Sequence, residues 1–230
     1  WYKLETDEAL KLNELVTVRA ERVDSLTVLY IDGQIVAAVI SSSEIKSLEG
    51  SFTIGFDPTA VTENTPGRVM FVRFEKVREI KIVEPSGEDE ILPPLVQDTL
   101  VAPGDDSEVA GDSALAMPVH WIADWEFNDS ANVGRDYTGN NHTALAGLGS
   151  VETDGEVAHF DGKSGLTVKL TNDLKMNSFV IEARVKPTKF ATMQNIIVAE
   201  PPGRGVDGWM LRVDEGTLRV HMRDDALDGD

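Results

Sequence analysis

The chain has 230 residues, with 40 Asp and Glu against 21 Lys and Arg, a formal net charge of -19 and no cysteine. An acidic surface repels phosphate backbones and anionic headgroups, which argues against nucleic acid as a partner. The missing cysteine excludes disulfides, thiolate zinc sites and a thiol nucleophile, and no apolar run approaches the roughly 20 residues that insert across a bilayer.

Residues 1–84 alternate apolar and polar positions in the way strands do. "TDEALKLNEL" (6–15) has modest helical periodicity, but the strands around it favour a loop or a single turn. "LVTVRAERV" (15–23) alternates cleanly. "SLTVLYIDGQIVAAVI" (25–40) is a predicted hairpin, two β-branched runs around Asp32-Gly33, a dipeptide suited to positive φ. "SFTIGF" (51–56) reads as a short buried strand, and "RVMFVRFEKVREIKIV" (68–83) as two strands or one bent strand.

Residues 85–118 hold five prolines and eight acids with no Lys or Arg. Like charges and few large apolar residues keep such a segment from ordering itself as a domain, so it reads as a linker. Its short pieces "ILPPLV" and "DTLVAP" are the parts suited to packing on a sheet. Residues 119–230 return to strand-sized runs, among them "VHWIADWEF", "EVAHF", "GLTVKL", "SFVIEARVKP", "NIIVAE", "GWMLRV" and "TLRVHMRD", divided by Gly, Asn, Asp and Pro. Many short strands at turn-bounded spacing predict an all-β antiparallel sandwich rather than a parallel α/β sheet.

Ca²⁺ takes six to eight oxygens from flexible loops. The "DYTGNN" loop offers Asp136, Asn140 and Asn141, and Asp161 approaches from an "FDG" turn, which makes these four a candidate Ca²⁺ site. The same residue types also favour turns through local hydrogen bonds alone, and both readings stand. For ligand stacking, Trp209 is the candidate, since it opens a strand after a glycine-rich loop and suits either core or platform; Trp121 and Trp125 share a strand parity that suits the core. No motif frames His120, His142, His159 or His221 beside an activated serine. "EPPGRGVDGW" (200–209) lacks the Gly-Lys-Ser/Thr ending of a phosphate cradle. "VIEARVKP" supplies Glu182, followed on the same face by Arg184 and Lys186 and not by a second acid, so a catalytic carboxylate pair is not expected.

"HWIADWEFNDSANVGRDYTGNNHTALAG" (120–147) followed by "VAHFDGKSGLTV" (157–168) resembles the opening of a laminin-G-like, concanavalin-A-like jelly-roll domain. "LNELVTVRAERVDSLTVLYIDGQIVAAVI", "SFTIGFDP" and "FEKVREIKI" are similar to that family's later strands. Two positions depart: Leu15 stands where the family often has Trp, and Glu75-Lys76 where it has an acidic pair, which weakens any metal site drawing on that position. The resemblance implies a jelly-roll β-sandwich whose halves are in permuted order, 119–230 before 1–84, completed within one molecule or between neighbours in a head-to-tail assembly. It further implies an extracellular, non-catalytic binding or adhesion module for a glycan or protein. A structural repeat of a surface fibre is the alternative, and a glycoside hydrolase the minor one.

Overall fold

The computed structural model describes residues 2–41, 51–55, 66–76, 121–174, 178–190, 194–199 and 208–222. These hold strands, turns and loops, with no helix among them. The first segment, residues 1–84, gives β1 (Tyr2–Ala9), β2 (Val16–Val23), β3 (Leu26–Ile31), β4 (Gln34–Ile40), β5 (Ser51–Ile54) and β6 (Pro66–Lys76), and the second is residues 119–230. The second gives β7 (Trp121–Trp125), β8 (Leu145–Leu148), β9 (Glu152–Thr153), β10 (Ala158–Asp161), β11 (Gly165–Lys169), β12 (Phe179–Pro187), β13 (Gln194–Ala199), β14 (Trp209–Asp214) and β15 (Thr217–Met222). Residues 85–118, read as a linker, lie outside the described residues.

Two antiparallel sheets form a β-sandwich. One runs β1-β15-β14-β13-β5-β11-β8; the other runs β4-β3-β2-β12-β6-β10-β9, with β7 beside β6. Neither sheet belongs to one segment. β12 lies between β2 and β6, β5 lies between β13 and β11, and β1 pairs with β15. Trp1–Arg78 and His120–Asp230 accordingly form one compact unit. Trp1 and Asp230 are not among the described residues, but the strands nearest them pair with Tyr2 opposite Met222.

Alternation explains the local structure. In β2 the buried positions are Val16, Val18, Ala20 and Arg22, with Thr17, Arg19 and Glu21 between them pointing outward. Asp32 (φ 47°) and Gly33 (φ 77°) both sit at positive φ and join Ile31 to its partner Gln34 in a two-residue turn of the kind that matches strand twist. The stretch 6–15, expected as a loop or a single turn, is strand as far as Ala9, and the loop and turn begin after it. Leu4 and Thr6 are buried, Lys3 and Glu5 face outward, and β15 supplies the hydrogen-bonding partner that overrides local periodicity.

The centre of the sandwich is an aromatic cluster drawn from both segments. Trp209 has ring centroids 5.1 Å from Phe179, 5.5 Å from Phe52 and 5.9 Å from Phe74, and all four rings are buried. Truncating such a ring to alanine costs about 3–5 kcal/mol.

Candidate functional site

β6 is long enough to serve two neighbours on one edge. Its first residues pair with β10 and Val72–Glu75 pair with β7. The β6–β7 ladder keeps Phe74 opposite Ala123, then slips so that Glu75 faces Trp121. A one-residue slip moves a side chain to the other face of the sheet. Trp125 and Ala123 therefore point into the core, whereas Trp121 is half-exposed on the outer face. This corrects the shared parity expected for the two tryptophans, since a bulge is invisible to simple alternation.

On that outer face the register places Tyr30, Arg19, Glu182, Arg73 and Asp124 in one row across five strands. Arg73 is the best-anchored member. Its guanidinium carbon lies 4.2 Å from the Phe71 ring centroid and 5.8 Å from that of Trp121. Arg73 Nε donates to Asp124 Oδ1 at 3.0 Å and Nη2 to Glu126 Oε1 at 3.2 Å. Two rings and two carboxylates thus fix a cation that is one-quarter exposed. Burial pushes the Asp124 carboxyl above its usual range, and Glu126 and Asp136 add to this; Arg73 pulls the other way. Two strands away the motif recurs in smaller form. Arg19 stacks 5.5 Å from the Tyr30 ring and pairs with Glu21 at 3.1 Å, while the Tyr30 hydroxyl donates to the same carboxylate at 3.3 Å. Burial, then the Glu21 charge, raises the Tyr30 phenol.

The "DYTGNN" loop lies against the open edge of β7 and satisfies it. Asp136 Oδ1 accepts from the Asp124 amide at 3.2 Å, the Thr138 amide at 3.0 Å and the Thr138 hydroxyl at 2.8 Å, and Oδ2 accepts from the His142 amide at 2.9 Å. The Tyr137 amide donates to Asp124 O, and Thr138 Oγ1 and Asn140 Nδ2 both donate to Ile122 O. Trp125 Nε1 donates to His142 O at 2.7 Å, so a core indole also holds the end of the loop. Gly134 lies at its neck: a Cβ there would stand 1.9 Å from the Ala144 carbonyl oxygen. Burial alone would raise the Asp136 carboxyl, but the amides of His142, Thr138 and Asp124 and the Thr138 hydroxyl together hold it below the usual range.

This arrangement bears on the Ca²⁺ candidates. Asp136 is 8% exposed, with both oxygens engaged by donors of the chain. Asn140 spends its amide on Ile122. Asn141 takes positive φ (63°) to turn the backbone. Asp161 accepts from the Lys163 amide in its own turn. No three His, Asp or Glu side chains among the described residues are grouped as metal ligands. These contacts make the loop a cap on the β7 edge. Trp209 is likewise corrected as a platform: at 1% exposure it offers no face to a ligand, because its strand parity aims it into the aromatic cluster.

A second charged cluster covers the outer side of β1, β15 and β14. Glu5 bridges Lys3 at 2.9 Å and Arg219 at 2.7 Å, and Asp214 pairs with both Arg219 and Arg212. Arg212 Nη2 donates to His221 Nε2 at 3.1 Å. Burial and then the charges of Arg212, Arg219 and Lys3 lower His221 to about 4, so it is neutral near pH 7.

No protein-family model matches the chain, and no curated protein or solved structure matches it. What the fold and the face define is a class: an all-β antiparallel sandwich with an arginine–aromatic sheet face.

Proposed function

We propose that this chain is a non-catalytic binding or adhesion module of the extracellular, laminin-G-like kind, and that it meets a glycan or protein through the outer face of its eight-stranded sheet. The observation that carries the reading is Arg73, held between Phe71 and Trp121 and tied to Asp124 and Glu126. An arginine ordered in advance loses little side-chain entropy on binding, and Arg, Trp and Tyr supply most of the energy at contact surfaces. The recurrence of the motif at Arg19 and Tyr30 extends the patch across several strands, and such a broad face of mixed charge suits a protein better than a small ligand.

Glu182 supports the non-catalytic side of the reading. It sits in register between Arg19 and Arg73, with a cation on each flank where a hydrolase would place a second acid. The extracellular assignment rests on the family resemblance.

The test is a binding screen of the immobilised chain against a glycan array and a panel of extracellular proteins. A genuine hit should weaken about 30-fold in Arg73→Ala and in Trp121→Ala, as expected of an anchor worth about 2 kcal/mol. It should be unchanged in Lys169→Ala, on the other sheet. Hits that survive Arg73→Ala at full affinity would move the contact surface elsewhere. Release of reducing ends from polysaccharides that disappears in Glu182→Gln would overturn the non-catalytic reading.

A further inference from the structure

We propose that β4 is a docking edge for a second copy of this chain, joined about a two-fold axis through Ala38 so that two eight-stranded sheets run on as one. Among the described residues β4 pairs with β3 alone. Neither strand carries a charged residue, although the chain as a whole carries -19. Ile40 is 78% exposed, Ile35 66% and Leu26 42%. Natural sheet edges are usually guarded by charge, proline or a covering loop, and this one has none of the first two.

The strand is complementary to itself. Residues 35–40 read Ile-Val-Ala-Ala-Val-Ile, the same in both directions. In the ladder to β3, Ala38 faces Val28, Ala37 faces Leu29 and Ile35 faces Tyr30, so Val36 is the extra residue of a bulge. The bulge turns Ile35, Ala38 and Ile40 to the outer face, while Val36, Ala37 and Val39 pack on the core. Now let two copies of β4 pair antiparallel with Ala38 opposite Ala38. Val39 then meets the Val36–Ala37 bulge of the other copy, and Ile40 meets Ile35, outer face to outer face. Without the bulge Ile40 would fall opposite Val36, and the two isoleucines would not meet. A closed two-fold contact needs this reciprocity, in which residue i meets j and j meets i. A foreign strand could meet the same backbone, but nothing in it would require the palindrome or the small residue at the axis.

Charge decides the salt dependence. Two copies of an acidic chain repel at low ionic strength, and at physiological salt the screening length of about 8 Å confines that repulsion to near neighbours, to which β3 and β4 themselves contribute no charge. Dimerisation should therefore strengthen with added salt, whereas a partner held by opposite charge would be released. The axis runs normal to the sheet, so both copies would present Arg73 on the same side and a binding face would become bivalent. That consequence alone rests on the function proposed above; the dimer is measured without any ligand.

The experiment uses the full chain, which has no cysteine to interfere. Sedimentation across a concentration series should show the mass doubling, more completely at 500 mM than at 50 mM salt, and Ile35→Lys/Ile40→Lys should stay monomeric with an unchanged melting temperature. Directly opposed strand residues have Cα atoms roughly 4.5–5.5 Å apart, within disulfide reach. Ala38→Cys should therefore cross-link to itself on oxidation, and Ile40→Cys should cross-link to Ile35→Cys in a mixture much faster than to itself. A chain that remains monomeric at every concentration overturns the proposal. So does a dimer that survives the double lysine variant, or one in which Ala38→Cys fails to cross-link.

Discussion

Strands β7 and β4 each have a single neighbour in the same sheet among the described residues, yet the chain treats their outer edges in opposite ways. Along β7, the Asp124 amide, the Asp124 carbonyl and the Ile122 carbonyl all find partners in the loop that follows. That loop is polar, and its central carboxylate is buried with four donors around it. Along β4, Ile35, Ala38 and Ile40 are apolar and exposed, and the strand has no acid or base. An unmet backbone edge invites another strand, so a fold that closes the β7 edge with a loop, and among the described residues leaves β4 with β3 alone, marks the second as the edge open to contact.

The largest effect expected from breaking this contrast is at Asp136. Asp136→Ala leaves the buried His142 amide and the Asp124 amide without acceptors; at about 1–3 kcal/mol for each stranded donor, the loss should be about 3 kcal/mol, read as a clear fall in the denaturant midpoint. Because both Asp136 oxygens already accept from donors of the chain, a chelator should leave the wild-type melting temperature unchanged. The same group sets an acid dependence. Its folded pKa is depressed, so its contribution is fully present above the unfolded value near 4 and disappears as pH falls through the lower folded value. Wild type should thus lose more stability than Asp136→Asn on acidification below about pH 4, with the two converging at the acid end.

A smaller effect belongs to Asn140. Its side chain makes one exposed hydrogen bond to Ile122 O, and Asn140→Ala should cost about 1 kcal/mol in chemical denaturation. The smallest is at the other edge: Ile40→Lys replaces a side chain that touches little in its own molecule, and should change unfolding stability by no more than about 0.5 kcal/mol. If Ile40→Lys proved as damaging as Asp136→Ala, β4 would be packed against something in its own chain and the contrast would fail.

Much of the architecture was legible in the residues. The alternation of "VTVRAERV" matches the buried and outward positions of β2 as far as Glu21, after which Arg22 is buried and Val23 is not, and Asp32-Gly33 makes the turn its chemistry demands. Of the stretch 68–83, residues 68–76 belong to one long strand that changes partners on one edge, from β10 to β7, and residues 77–83 lie outside the described residues. Strand β1 escaped because its pairing partner, β15, is over 200 residues away in sequence. At the site, the sequence drew attention to the loop but not to the edge that it caps. Asp136 and Asn140 are the types that bind Ca²⁺ and also the types that cap an edge, and only the position of β7 separates these roles. The Arg73 cluster left little local signal: Phe71 and Arg73 share one face of β6, but Trp121 comes from β7 and the bulge that exposes it depends on pairing. Trp209 opened a strand after glycines in either role, and its partners Phe52 and Phe74 lie in the other segment.

Amide hydrogen exchange, followed residue by residue in dilute solution, compares the two edges in one measurement. The Asp124 amide, held by Asp136, should exchange through the opening of the loop and be slowed by orders of magnitude. Alternate amides of residues 35–40 should exchange at nearly unprotected rates in the dilute chain and slow as concentration rises. Exchange at Asp124 as fast as at the β4 edge, or full protection of β4 in the dilute monomer, would contradict the account.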